Sequence, residues 1–345
     1  MKRIFAAGLA LAGIILSNPS RADEPVTIRV GWSSANASIV PVGLAKKDLM
    51  RHYGKSYTVE GVRFAGSPAV ITGLSTNSVD FGQLAYSSFA FAIENAKMTD
   101  LRIVSDVFQD GVADYYSGKY DVLNDGPIKK VEDLKGHVIA ASAAGSAMDI
   151  GLRVMLRQHH LDDRKDVSII EAQFPSMPAM LTEKKVDLIT ATVPFSEDPK
   201  LKAIAHPLFA QKDAVGPTQM IVWVAHQRFL ADHRAASVDF LADALNVLHY
   251  FQNPKNHDEI ASMLASFMKQ PPAQMGWMFT KGDFYRDPSG RPNLKVMQSN
   301  IDQLHDLGIV PASFDVARYA DLRSSTRPRR GSANSAILRS DGERG

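Results

Sequence analysis

Short strand-like runs alternate with loops of small residues and helix starts through the first hundred residues. The run "VTIRVGW" (Val26 to Trp32) is followed by small polar residues and a helical pattern, and "FAGSP" (64–68) and "LAYSS" (84–88) repeat this order. Strands that alternate with helices at this spacing form βα units around a mostly parallel sheet. The chain is therefore predicted to adopt an α/β fold.

The alternation begins again in the middle of the chain. After a strand-like run that ends at Phe108, "HVIAASAAGS" (137–146) and "VDLITATVPF" (186–195) supply new strands, and "TQMIVWVA" (218–225) leads back to helical sequence. This pattern predicts two lobes, with the second inserted into the first. Lobe one is assigned residues 23–112 and 218–322, lobe two is assigned residues 113–217, and hinge crossings are expected near residues 110–116 and 213–217.

The start of the chain predicts export. A positively charged pair is followed by an apolar run (Ile4 to Leu16) and by a small-x-small cleavage site at residues 20–22. This order is typical of a secretory signal peptide, here residues 1–22. The apolar run is shorter than the roughly 20 residues that a membrane span needs, and a retained anchor is the alternative. A soluble periplasmic protein is expected.

Cysteine content and charge exclude several classes of function. The chain has no cysteine, so it has neither a disulfide framework nor a thiol nucleophile. The formal net charge is +2, but the two ends carry seven net positive charges, which leaves −5 on residues 23–322. An acidic body lacks the basic surface that nucleic acids require, so no nucleic-acid partner is expected. The Arg- and Ser-rich tail, residues 323–345, is predicted to be disordered.

Motifs for metals and cofactors are not found. The stretch "YGKS" (53–56) has Leu49 where a phosphate loop needs its first glycine, and no histidine spacing matches a metal site. Neither a metal nor a cofactor is expected, and no catalytic residue is proposed.

Four helix starts carry small and hydroxyl residues and no charged side chain. The first turn of a helix leaves backbone N–H groups without partners and holds the positive end of the helix dipole, so a ligand oxygen can bind there. In open parallel sheets such loops meet at the carboxyl ends of the strands. Each serine has an alternative role as a helix cap. The candidate ligand-binding residues are Ser33, Ser34, Ser67, Tyr86, Ser87, Ser88, Ser142, Ala144, Gly145 and Ser146, together with Thr192, Pro194 and Phe195.

Several segments resemble one family of transport proteins. They include "IRVGW" near the start, "FAGSPAVITGLSTNSVDFGQL" (64–84), "GPIKKVEDLKGHVIAASAAGS" (126–146) and "KKVDLITATVP" (184–194). The chain resembles the periplasmic solute-binding proteins of ABC importers for nitrate, sulfonates and taurine, which are also related to binders of thiamine-pyrimidine precursors. The resemblance implicates the serines of the first three loops and Ser142 to Ser146 in ligand binding.

The resemblance also implies a fold and a function. The fold is a type II-like periplasmic binding protein, in which each lobe is a mostly parallel sheet flanked by helices and the ligand cleft lies between the lobes. The function is capture of a small organic or oxyanionic solute by hinge closure and its delivery, by a monomer, to the membrane subunits of an ABC permease.

Two other functions are open. The protein could receive a ligand for a membrane sensor, or it could be an enzyme like the pyrimidine-precursor synthases of the same fold. The resemblance implies that those synthases depend on a cysteine-rich motif, which this chain lacks. An enzyme is therefore not expected.

Overall fold

The computed structural model describes residues 24–33 and 38–322. The predicted signal peptide, Ser34 and the predicted disordered tail lie outside the described residues. The strands of the described part are β1 (Val26–Trp32), β2 (Tyr57–Arg63), β3 (Phe81–Ala85), β4 (Leu101–Asp110), β5 (Gly118–Leu123), β6 (Val138–Ala141), β7 (Ser168–Glu171), β8 (Leu188–Thr192), β9 (Ala205–Ala210) and β10 (Thr218–His226).

The helices lie between these strands and after the last one. Short 3-10 turns extend several of them. The α-helices of the described part are α1 (Val40–Ala45), α2 (Ser67–Ser75), α3 (Tyr86–Glu94), α4 (Ala147–Gln158), α5 (Met177–Thr182), α6 (Pro199–Ile204), α7 (Gln211–Val215), α8 (Gln227–Asp232), α9 (Arg234–Gln252), α10 (His257–Met268) and α11 (Leu294–Asp306).

The strands form two five-stranded sheets with the same arrangement. The first has the order β2-β1-β3-β10-β4 and the second the order β7-β6-β8-β5-β9. In each sheet the fourth strand, β10 or β5, is antiparallel to both of its neighbours, and the other four strands run in one direction. The two mostly parallel sheets flanked by helices confirm the predicted fold class.

The reversed strands are those that the chain enters from the other sheet. The chain leaves the first sheet at the end of β4 and enters the second through β5, and it returns from β9 through α7 into β10. Asp110 and Thr218 are paired at this junction. Gly111 has a φ of +67°, and a Cβ on it would lie 3.0 Å from the Cβ of Lys212 and 3.2 Å from the carbonyl oxygen of Gly216. The two crossings therefore lie side by side, at a position where only glycine fits without strain.

Residue type explains why the strands form and why one of them is missed. The central strands "FGQLA" and "LITAT" are buried along their whole length, as expected for strands covered by helices on both faces. β9 has no counterpart in the sequence prediction because Pro207 interrupts its pattern. Proline is tolerated there because β9 is an edge strand, where a missing N–H breaks no ladder.

The cores lie between the sheets and their helices. The larger core includes aromatic contacts such as Phe81 with Phe240, whose ring centroids are 5.0 Å apart. A separate small core, with Met177 and Leu181 at its centre, fills the outer face of the second sheet under α5 and α6. No helix among the residues described is long and apolar enough to cross a lipid bilayer.

One buried carboxylate makes stability depend on pH. Asp121 on β5 is 4% exposed, and its Oδ1 atom has no hydrogen-bond partner among the described residues. Burial raises the pKa of Asp121 to about 6, although Lys119 nearby lowers it. Since this pKa is above that of the unfolded chain, the folded protein binds the proton more tightly, and the free energy of unfolding falls as pH rises from about 4 to about 6.

Asp121→Asn removes this titration. We expect the variant to be more stable than the parent protein by about 1 to 3 kcal/mol at pH 8, and by much less near pH 4. Urea unfolding at both pH values measures the difference, with Asp125→Asn, a change of an exposed carboxylate, as the control. An equal effect of Asp121→Asn at the two pH values would contradict the assignment.

Candidate functional site

A cleft of about 840 Å³ lies at the carboxyl ends of strands from both sheets. From the first sheet, Ser33 follows β1, Arg63 ends β2 and Ala85 ends β3. From the second sheet, Ser142 follows β6 and Thr192 ends β8. This is the edge at which open α/β sheets bind their ligands, and the volume is within the usual range for small-molecule sites.

The structure brings six of the predicted residues together in this cleft and places six others, Tyr86, Ser87, Ser88, Ala144, Gly145 and Pro194, outside its lining. Ser34 lies outside the described residues. The six that line the cleft are Ser33, Ser67, Ser142, Ser146, Thr192 and Phe195.

Two serine hydroxyls meet at the start of α4. Ser146 is the N-cap residue of α4, and its Oγ accepts a hydrogen bond from the Asp149 N–H at 3.5 Å, so the capping role is present. The Oγ atoms of Ser142 and Ser146 are 2.7 Å apart. Whichever of them donates to the other, the second hydroxyl proton stays available for an acceptor in the cleft.

Two backbone N–H groups of the same loop are already used by carboxylates of this chain. The N–H of Ala144 donates to Glu171 Oε2 at 3.1 Å, and the N–H of Gly145 donates to Asp149 Oδ2 at 2.8 Å. Ala144 and Gly145, both predicted to bind the ligand, are also absent from the cleft lining. The positive end of α4 is partly neutralised by Asp149, a favourable position for a carboxylate.

The first two N–H groups of α4 itself are not used in this way. Those of Ala147 and Met148 have no acceptor among the described residues, and both residues line the cleft. The first turn of α4 therefore presents two backbone donors beside the hydroxyl pair of Ser142 and Ser146. The sequence analysis expected backbone donors at this helix start, but it did not name these two residues.

Ser87 and Ser88 join the two lobes. Their hydroxyls donate to the carbonyl oxygen of Gly145 at 3.0 and 3.1 Å, so the start of α3 in the first lobe holds the loop before α4 in the second. Tyr86 beside them is fully buried, and this burial raises the pKa of its phenol. Pro194 is also buried, after a cis peptide bond. All four lie outside the cleft lining.

Ser67 lines the cleft, but its hydroxyl has a structural role. It accepts a hydrogen bond from the Ala85 N–H at 2.7 Å and lies 3.3 Å from the carbonyl oxygen of Gln83, to which it donates. These bonds fix the start of α2 against the end of β3. The Ser67 hydroxyl therefore shapes the cleft through its neighbours.

Two cationic residues of the cleft were missed by the sequence analysis. Arg63 ends β2, and Lys269 follows α10 in a left-handed conformation with a φ of +55°. One feature of the sequence could have pointed to Arg63, because it lies at the carboxyl end of a strand-like run. No sequence feature pointed to Lys269, because it is far along the chain from all the candidate loops.

Most of the remaining wall is apolar. None of the described residues that line the cleft is aspartate, glutamate or histidine. Six phenylalanines and three methionines contribute to the wall: Phe64, Phe108, Phe174, Phe195, Phe267, Phe284, Met148, Met220 and Met268.

Ser117, another lining residue, connects the cleft to the first crossing. Its N–H and its hydroxyl both donate to Asp110 Oδ1, at 2.7 and 2.9 Å, and Oδ2 has no partner among the described residues. Burial raises the pKa of Asp110 to about 6, and the two bonds from Ser117 oppose this rise. In the part of the chain described, no group of three or more histidine or acidic side chains is arranged to hold a metal ion.

Comparison with known proteins gives the relationship of the whole fold. The sequence matches the NMT1-like family over residues 21–265. No curated protein sequence matches it significantly.

Solved structures share the fold at low sequence identity. The periplasmic aliphatic sulphonate binding protein SsuA from Escherichia coli has a TM-score of 0.65 and 20% identity, over 86% of this chain and 97% of that one. The periplasmic nitrate-binding protein NrtA from Synechocystis has 0.68 and 15%, over 86% of each chain. The desulfurization enzyme DSZB has 0.61 and 13%, over 87% of this chain and 97% of that one.

The loop before α4 can be tested with two glycines. Gly145 has a φ of +82°, and a Cβ on it would lie 3.1 Å from the Phe91 ring, whereas Gly136, with a φ of +83°, faces open space. Gly136→Ala should lower the free energy of unfolding by about 1 kcal/mol, through backbone strain alone. Gly145→Ala should lower the free energy of unfolding by about 1 kcal/mol more than Gly136→Ala does, because it also displaces the Phe91 ring. Urea unfolding measures both, and equal losses would mean that the contact with Phe91 is unimportant.

Proposed function

This chain belongs to the NMT1-like family, and from that premise we propose that it is the solute-binding component of an ABC importer. It captures a small organic or oxyanionic solute in the cleft, as a monomer in the periplasm, and delivers it to the permease subunits. The observation that carries this proposal is the cleft itself, in which donors from strand ends of both sheets surround one volume of about 840 Å³.

The donors are sufficient for useful affinity only if they act together. A hydrogen bond to a charged group contributes about 1.5 to 3 kcal/mol, whereas micromolar binding requires about 8 kcal/mol. The N–H groups of Ala147 and Met148, one hydroxyl of the Ser142 and Ser146 pair, and the Thr192 hydroxyl are four such donors. All four belong to the second lobe, so closure of the first lobe is needed to exclude water from them.

The hinge is assigned to the two crossings, near residues 110–116 and 213–217. They are the covalent connections between the sheets, and they pack against each other at Gly111. A ligand that contacts both lobes binds the closed form better than the open form, and this difference in affinity is what shifts the population towards closure.

Binding is favoured over catalysis by the chemistry of the cleft. Carboxylates, imidazoles and thiols are the usual groups for proton transfer and nucleophilic attack. The described lining has no carboxylate or imidazole, and the chain has no cysteine. The likeness to an enzyme, DSZB, extends to the fold alone, and so do the likenesses to the sulphonate- and nitrate-binding proteins.

A ligand screen tests the proposal. Purified protein is mixed with aliphatic and aromatic sulfonates and with nitrate, and melting is followed together with the radius of gyration in solution scattering. A ligand at 100 times its dissociation constant should stabilise the fold by about 2.7 kcal/mol, and it should also reduce the radius. Conversion of a compound to product without any transporter, or stabilisation without compaction, would contradict the proposed function.

Thr192 provides a matched pair of variants for the site. Thr192→Val removes a hydroxyl of the cleft without changing side-chain shape, and it should weaken ligand binding by about 5- to 30-fold with little change in the stability of the free protein. Thr190 is two residues earlier on the same strand, is fully buried and contacts Met177. Thr190→Val should leave affinity unchanged in calorimetry. Equal loss of affinity in both variants would exclude a direct role for Thr192.

A further inference from the structure

Both cations of the cleft lie near one aromatic pair, Arg63 by direct contact and Lys269 by its place in the chain. The guanidinium carbon of Arg63 is 5.7 Å from the Trp32 ring centroid, and the Trp32 and Phe267 centroids are 5.6 Å apart. Lys269 follows Phe267 by two residues. Arg63 and Lys269 are both exposed, and neither has a carboxylate partner among the described residues. They form the outer end of the cleft.

This outer end attracts negative charge and opposes positive charge. Two cations act without a carboxylate in the described lining, and clefts with walls of low dielectric constant concentrate such a field. The ammonium group of a zwitterion would find no counter-ion here. A zwitterionic amino sulfonate therefore fits poorly.

The phenylalanine wall of the cleft favours a ligand with an apolar part. Phe267 lines the cleft and is 42% exposed, which is unusual for a large aromatic side chain. An inorganic oxyanion has the bulk of only one or two water molecules, each of about 30 Å³. Such an ion would leave most of the 840 Å³, and the phenylalanine wall, in contact with water. A ring or short chain covers this wall and gains from burial.

The part of the cleft around Thr192 and the start of α4, called the inner end here, has hydrogen-bond donors without partners. Thr192 is 8% exposed and lines the cleft, and its hydroxyl has no hydrogen-bond partner among the described residues. The free N–H groups of Ala147 and Met148 lie in the same wall. These donors are neutral and need oxygen acceptors.

The two ends are close enough for one ligand. A Cβ on Gly66 would lie 3.1 Å from the Cβ of Ala143, so the loop after β2 touches the loop before α4. Arg63 is three residues before Gly66, and three extended residues span at most about 10 Å. The cations and the α4 donors therefore line one continuous cleft, which an elongated ligand can occupy.

We propose that the ligand is an elongated organic anion with an oxygen-bearing group at each end. One group accepts from the α4 start and Thr192, the apolar body lies along the phenylalanines, and the ionised outer group is held by Arg63 and Lys269. This inference rests on the proposed function and specifies its substrate class.

Calorimetry with four probes tests the substrate class. We expect 4-sulfobenzoate, which has two ionised ends, to bind about tenfold more tightly than benzenesulfonate, which has one. Taurine, which is zwitterionic, and nitrate, which has no apolar body, should bind most weakly. Equal affinity of the two aromatic probes, or tighter binding of taurine or nitrate, overturns this inference while the binding function stands. If no probe binds, this inference is overturned, and the ligand screen described above tests the binding function separately.

Variants then test the assignment of the outer group. The double variant Arg63→Gln and Lys269→Gln should reduce the affinity for 4-sulfobenzoate by about tenfold. Arg51→Gln combined with Lys55→Gln, the loss of two exposed cations outside the cleft lining, is the charge-matched control and should leave this affinity unchanged. No loss in the first double variant, or an equal loss in the charge-matched control, would overturn the role of these two residues.

Discussion

The contact between the two chain crossings determines how the rest of the molecule is arranged. Asp110 and Thr218 pair where β4 and β10 meet, and Gly111 lies directly against the segment around Lys212 and Gly216. Each crossing leads into a strand that is reversed in its new sheet. Because the connections are short and adjacent, the carboxyl edges of the two sheets are held on either side of one cleft. The ligand site is a consequence of this connection.

The bare backbone before α4 is only partly available to a ligand. Unpaired N–H groups away from water are costly, and here the chain supplies Glu171 and Asp149 as acceptors for two of them. The Gly145 carbonyl is in turn bound by Ser87 and Ser88 from the other lobe. Serines on the first lobe therefore position a binding loop of the second. These bonds hold the loop that precedes the N–H groups of Ala147 and Met148.

The ion pairs behind α4 complete this arrangement. Asp149 is 1% exposed and would be costly to bury alone, but Arg153 lies 3.0 Å from it and also bridges to Asp163. A buried carboxylate is stable only when paired and hydrogen-bonded. The cleft thus has negative charge behind one wall and free cations at its mouth.

The sequence by itself determined the fold class, most of the strands and four of the loops, because these depend on local periodicity and on residues next to each other. It identified the serines at the helix starts, but it did not distinguish Ser142 and Ser146, which line the cleft, from Ser87 and Ser88, which hold a carbonyl. Only the tertiary structure decided those roles, and only it brought Arg63 and Lys269 to one cleft. The physical reason is that hydrogen-bond partners and charge neighbours are set by contacts between segments far apart in the chain, which no local pattern encodes.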